Sequence, residues 1–117
     1  LEGDKGDKFE LGIYGSGDVE ATSMNYDMIA ASIKGSGDVD IDGKCKAVMV
    51  SVMGSGDVSA SDLKCESAEV NVKGSGDVDV FASSKAKARV YGSGDITIKG
   101  NPTKVDKKAM GSGDINT

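Results

Sequence analysis

The sequence of 117 residues contains no histidine, a single arginine, Arg89, and few aromatic residues. Without histidine, neither a Ser-His nor a Cys-His pair can form, so the usual arrangements for nucleophilic catalysis are excluded. Two cysteines without histidine also make a poor zinc site. Aromatic residues account for only 4% of the chain. The core must therefore consist of valine, isoleucine and alanine, which favours strands.

Long apolar runs and a signal peptide are also absent from the sequence. No run approaches the roughly 20 residues of a membrane-spanning helix, and the chain starts with the charged stretch LEGDKGDKFE. We expect a targeting segment to have been removed, so this start does not indicate a cytoplasmic protein. The formal net charge of −5 argues against nucleic acid and against an anionic membrane surface as partners, because both require a basic footprint.

Glycine, by contrast, is abundant, and most of it lies in six copies of GSGDV or a near variant of it. The copies begin 18 to 20 residues apart, which is typical of a stacked repeat. Around each copy, apolar and polar residues alternate as in a strand with one buried face: in AEVNVKGSGDVDV, Val70, Val72, Val78 and Val80 share one parity. Glycine allows the chain to bend and to adopt positive φ, so we expect a corner at each copy. The corner glycines are Gly15, Gly17, Gly35, Gly37, Gly54, Gly56, Gly74, Gly76, Gly92, Gly94, Gly111 and Gly113.

This pattern predicts an all-β fold, a single-stranded parallel β-helix (β-solenoid) of about six rungs of 18–20 residues, where a rung is one turn of the solenoid. We expect a right-handed coil, as parallel crossovers nearly always are. Each rung needs two strands and a second turn, which we place in variable stretches such as DGKCK and FASSK. We expect residues 1–117 to form one solenoid domain or part of a longer one.

The last rung departs from the pattern, because Lys107 falls on the inward parity. Either a bulge resets the phase, or the lysine extends to solvent from a loose end. An open parallel edge favours end-to-end or edge self-association.

The aspartate of each corner has outward parity, so stacking predicts a ladder of carboxylates about 5 Å apart. Neighbouring charges would repel by about 1 to 3 kcal/mol per pair, and something must offset that repulsion. We favour hydrogen bonds from corner N–H groups and serine hydroxyls. The alternative is a bound cation, for which calcium suits a set of oxygen ligands. The ladder comprises Asp18, Asp38, Asp57, Asp77, Asp95 and Asp114. Further carboxylates with outward parity lie two residues beyond a corner aspartate, at Glu20, Asp40 and Asp79.

Cys45 and Cys65 each lie nine residues before the next corner glycine, so they should stack in neighbouring rungs. A Cα separation of about 4.8 Å falls inside the disulfide range, although parallel in-register Cβ atoms lie somewhat too far apart for relaxed geometry. A disulfide and a pair of stacked buried thiols both remain open.

The residue just before each corner also has outward parity, and these six positions form a row of apolar and cationic side chains. Such a row is usually ordinary surface, but on the flat side of a solenoid it can be a contact face. The row comprises Tyr14, Lys34, Met53, Lys73, Tyr91 and Met110.

Recurrent GSGDV and GSGDI corners between alternating valines resemble the autotransporter adhesin head GIN domain family over essentially the whole chain. The resemblance implies a parallel β-helix in the bacterial cell envelope, and so an extracytoplasmic location: periplasm, outer membrane or cell surface. It implies no catalytic or binding residues, and we expect no cofactor.

Our leading hypothesis is a non-catalytic structural or adhesion-like module that presents flat faces to a protein, a glycan or another copy. The alternative is a carbohydrate-active β-helix enzyme or a remnant of one. Short turns and a single arginine argue against that alternative, since such enzymes line a cleft between long loops.

Overall fold

The computed structural model describes the backbone of residues 5–116 and the side chains of residues 8–22 and 25–116. It is all-β, with 83% of residues in strands. No helix occurs in residues 5–116, so none that could cross a membrane is found there. The strands are β1 (Lys5–Gly15), β2 (Asp18–Gly35), β3 (Asp38–Gly54), β4 (Asp57–Gly74), β5 (Asp77–Gly92), β6 (Asp95–Lys99), β7 (Lys104–Met110) and β8 (Ile115–Asn116).

All pairings are parallel and follow chain order from β1 to β5. Strand β5 then pairs with both β6 and β7, and β6 pairs with β8. Because β6 and β7 pair with different parts of the same long strand, β5, they belong to one rung. The predicted parallel β-solenoid of about six turns is confirmed.

The core is a single cluster of small apolar side chains, as the alternation predicts. Phe9, Leu11 and Val19 of the first rung are only partly buried, because they have a neighbouring rung on one side. The expected inward residues of the following rungs are buried: Ile29, Ala31, Ile33, Val39, Ile41, Val48, Val50, Val52, Val58, Ala60, Val70, Val72, Val78, Val80, Ala86, Ala88, Val90, Ile96 and Ile98.

The second turn differs from the expected polar loop. In β2 to β5 the strand runs through it, with shifts of register between neighbouring rungs. Additional side chains face inward in this region, where Tyr26, Leu63 and Ala82 are buried. Only between β6 and β7 does the strand break, at Gly100 and Asn101, which have φ of 102° and 54°.

In the last rung, Lys107 keeps the inward register without a bulge. It pairs with Ala88, and its neighbour Ala109 pairs with Val90. All of β7 is nevertheless exposed. Of the two arrangements expected for this lysine, the structure shows the exposed one at an open edge.

The corners and second turns divide the solenoid into two sides, which share the core between them. The short side follows each corner and comprises residues 18–21, 38–41, 57–60, 77–80 and 95–98. The long side precedes each corner and comprises residues 8–14, 28–34, 47–53, 67–73, 85–91 and 104–110. The whole is flat, with Cα extents of 37 × 35 × 17 Å.

Candidate functional site

The first glycine of each corner makes the turn. Its φ lies between 108° and 127° in all six corners, a region that residues with a Cβ rarely adopt. The next residue keeps the rungs joined: the Ser55 N–H donates to the carbonyl oxygen of Gly35 at 3.0 Å, and Ser75 donates to Gly54 in the same way. The corners therefore stack by backbone hydrogen bonds without interrupting the sheet.

The second glycine of the corner is required by packing. Gly56 is buried, and a Cβ placed on it would collide with the carbonyl oxygen of Gly37 and would lie 2.7 Å from Cγ2 of Ile33. Gly17 in the first rung has no such neighbour. Glycine is thus needed wherever another corner lies beneath.

The corner aspartates form a hydrogen-bonded ladder. Oδ1 of Asp57 accepts from the backbone N–H of Asp77 at 3.1 Å, and Oδ1 of Asp77 accepts from the N–H of Asp95 at 3.3 Å. The same contact joins Asp18 to Asp38 at 3.3 Å and Asp95 to Asp114 at 3.2 Å. Each of these carboxylates is therefore held by the next rung, which offsets part of the repulsion between neighbours. Among the described residues, no group of three or more acidic or cysteine side chains has a geometry that could hold a metal ion.

Charge on the short side has one sign. With Asp114, its ranges contain nine acidic residues and no lysine or arginine. The carboxylates of Glu20, Asp40 and Asp79 lie on the same outward parity as the ladder, as expected. A shallow groove of about 130 Å³ lies at its border with the second turn, lined by Glu20, Thr22, Asp40, Ile41, Asp42, Ser59, Ser61 and Asp62.

Charge on the long side has mainly the opposite sign. Its ranges hold nine of the fourteen basic residues and only three of the nineteen acidic ones. At the first rung, Lys8 Nζ lies 2.7 Å from Glu10 Oε1, and this hydrogen bond and the lysine charge lower the pKa of Glu10. Seven of the cations lie in the last three rungs: Lys73, Lys85, Lys87, Arg89, Lys104, Lys107 and Lys108.

The row before the corners lies on this long side. Tyr14, Lys34 and Met53 are in register from rung to rung. Tyr14 is 77% exposed, and Lys34 Nζ lies 5.4 Å from the centroid of its ring, a cation–π contact at the surface. Met53 and Met110 are 42% and 50% exposed. The mixed apolar and cationic row expected from the sequence is therefore present at the surface.

A longer groove of about 400 Å³ crosses the long side. We call a set of residues that are paired in register from rung to rung a column. One wall of the groove contains Met28, Ala47 and Lys85, which belong to one column, and the other wall contains Met49 and Glu69, which belong to a second. Sequence reasoning missed this feature because it considered outward charge only at the corners and at the residues next to them. The signal is present in the alternating stretch KAKAR, residues 85–89, whose cations all point outward.

The second turn contains the disulfide. Cys45 and Cys65 are paired in register with a Cα separation of 4.6 Å, and their sulfur atoms are bonded. Tyr26 lies in the same column next to Cys45, and its ring centroid is 5.2 Å from that of Phe9. Of the two arrangements left open by the sequence, the structure has the disulfide.

Comparison with known proteins identifies the family. Residues 1–102 match the family described as "Putative auto-transporter adhesin, head GIN domain". The chain belongs to this family. Membership indicates an extracytoplasmic or surface location. A search of curated proteins gave no match.

Two crystal structures resemble this head GIN domain. One is a "putative adhesin" from Bacteroides fragilis NCTC 9343, with a TM-score of 0.82 and 25% identity, covering 93% of this chain and 55% of that one. The other is a "Putative lipid binding protein" from Parabacteroides distasonis ATCC 8503, with a TM-score of 0.93 and 37% identity, covering 96% of this chain and 45% of that one. The chain thus spans about half the length of either protein.

Proposed function

We propose that this chain is a non-catalytic module of the bacterial cell surface that binds a partner through the flat sides of its solenoid. The observation that carries the proposal is the separation of charge: all charged residues of the short side are acidic, and most basic residues of the chain lie on the long side. Surfaces of one sign attract partners of the other sign and repel wrong ones. A protein, a glycan or another copy of the chain can supply such a surface.

The regular spacing of the rungs supports the same proposal. Parallel strands place equivalent side chains about 4.8 Å apart along the stack, so each side presents rows of like groups at a fixed repeat. Solenoids commonly bind through extended surfaces of this kind. Of the two similar structures, one is described as a "putative adhesin" and the other as a "Putative lipid binding protein", and both descriptions refer to binding.

The proposed location is outside the cytoplasm, after removal of a signal sequence. The Cys45–Cys65 disulfide supports this location, because disulfides persist in oxidising compartments such as the periplasm and the cell surface.

A test for binding uses arrays of lipid-free envelope polysaccharides and proteins. We expect a subset of spots to bind the chain, with affinity that falls as ionic strength rises. A variant of the short side, Asp40→Asn with Asp79→Asn, and a variant of the long side, Lys73→Gln with Arg89→Gln, assign each spot to a side. Binding that neither variant changes would contradict the role of the charged sides.

A carbohydrate-active enzyme is the competing function, and a separate assay excludes or establishes it. The chain is incubated with a panel of acidic polysaccharides, and the products are examined for unsaturated or reducing ends. We expect no release above that of a heat-denatured sample. Release that depends on the folded chain would overturn the non-catalytic proposal.

A further inference from the structure

The groove on the long side runs across the strands, parallel to the axis of the solenoid. Its walls are two columns of outward residues, with the intervening inward residues Val48, Ala68 and Ala86 beneath them. The groove extends over five rungs, from Met28 to Lys104. Four spacings of about 4.8 Å give a length of about 19 Å, so the groove suits a linear ligand.

The two ends of the groove differ in character. At the amino-terminal end the side chains are apolar: Met28 and Ala47 are half-buried, and Met49 is 39% exposed. At the carboxy-terminal end, Lys85 and Lys104 are paired in register and both are exposed. The polarity of the groove therefore changes along its length.

Lys85 and Lys104 carry the positive charge of the groove that no neighbouring carboxylate in their column balances. In the second column, Lys87 lies between Glu69 and Asp106 in register, so its charge is largely balanced. Lys85 has Ser67 on one side and Lys104 on the other. Within the described part of the chain, neither Lys85 nor Lys104 takes part in an ion pair. Two adjacent, unbalanced cations favour an anionic group between them.

We infer that this groove binds an anionic amphiphile with a single extended acyl chain. The acyl chain lies along Met28, Ala47 and Met49, where each methylene removed from water contributes favourably. Its anionic head group contacts the ammonium groups of Lys85 and Lys104. This inference rests on the proposed function, since it assigns a ligand class to one of the two sides.

The test uses dodecanoate below its micelle concentration, titrated into the full chain by isothermal titration calorimetry. Three comparison compounds separate the contributions: dodecyltrimethylammonium and dodecyl maltoside keep a twelve-carbon alkyl chain without the anionic group, and acetate keeps the carboxylate without the long chain. We expect saturable binding of one dodecanoate per chain, and affinity at least about tenfold lower for all three comparison compounds.

Variants locate the site. Lys85→Gln with Lys104→Gln should weaken dodecanoate binding by about tenfold or more, and Met49→Gln should weaken it through loss of apolar contact. The matched control, Lys44→Gln with Lys99→Gln, removes the same charge outside the groove and should leave the affinity unchanged. Circular dichroism of each variant establishes that it is folded.

Several results would overturn the inference. These are no binding of dodecanoate, equal binding of all three amphiphiles, acetate binding as tight as that of dodecanoate, or equal weakening by the control variant. A concentration-dependent dimer in sedimentation velocity that Met49→Gln abolishes would assign the groove to a second copy instead. The lipid-free arrays test the proposed function separately, so failure here leaves their outcome standing.

Discussion

Oδ1 of Asp57 accepts a hydrogen bond of 3.1 Å from the backbone N–H of Asp77, one rung further along the solenoid. A carboxylate that would otherwise only repel its neighbour therefore also holds it in register. The balance between this bond and the repulsion can be measured at a single position.

Replacing Asp57 with alanine should lower the free energy of unfolding by about 1 to 2 kcal/mol, because the N–H of Asp77 loses its acceptor. Asp57→Asn is the matched control, since its side-chain oxygen can still accept while the charge is gone. It should be at least as stable as the parent, because repulsion by Asp38 and Asp77 is relieved. Urea unfolding measures both, and a stable alanine variant beside an unstable asparagine variant would contradict this account.

Calcium should change the melting temperature of the parent very little. The ladder supplies one carboxylate per corner, and each hydrogen-bonded oxygen is already in use, whereas calcium takes six to eight oxygen ligands. Thermal melts with and without millimolar calcium are compared for the parent and for Asp57→Ala. Stabilisation by several degrees in the parent that the variant loses would establish a cation site, since a ligand of the folded state raises stability.

Gly56→Ala should destabilise the fold by about 3 kcal/mol, because the new methyl group meets the backbone of Gly37 and the side chain of Ile33. Gly17→Ala places the same change in a first-rung corner that has open space, and its φ lies outside the glycine region. That variant should be neutral or slightly stabilised. Equal losses in the two variants would mean that stacking is not the reason for the second glycine.

Replacing both Cys45 and Cys65 with alanine should cost about 3 kcal/mol, the loop-closure value for a bridge across 20 residues. Reductant should lower the melting temperature of the parent and leave that of the variant unchanged. Alkylation in denaturant without reductant should add no mass to the parent. Two adducts under those conditions would show free thiols.

Leu63→Ala should lower stability by about 2 to 4 kcal/mol, because this side chain is fully buried in the second turn. Leu11→Ala makes the same deletion at a half-buried position of the first rung and should cost less. Denaturant unfolding compares the two. A Leu63 variant as mild as the Leu11 variant would mean that the second turn packs more loosely than described.

The sequence predicts the solenoid because its two signals, the glycine corner and the alternation of valine, are local and repeat six times. It does not predict the inside of the second turn. Leu63 and Tyr26 lie among polar residues, and both are buried in the region where the register between neighbouring rungs shifts. Such irregularities depend on the pairing of two rungs, and no single stretch of sequence records them.

The candidate site also has features that the sequence predicts and features that only the three-dimensional structure reveals. The aspartate ladder and the stacking of Cys45 on Cys65 follow from counting residues to the nearest corner. The partner of each carboxylate, a backbone N–H in the next rung, requires the three-dimensional stack. The groove arises from Lys85 and Met28, which are far apart in sequence and share a column across three rung spacings.

The flatness of the molecule determines which of its charges interact with an approaching molecule. Its shortest extent is 17 Å, about twice the Debye length of roughly 8 Å at physiological ionic strength. An approaching molecule is therefore screened from the far side and responds to the sign of the side in front of it. The isoelectric point near 4.6 describes the sum of two surfaces of opposite sign, so it does not give the sign of the charge that either side presents.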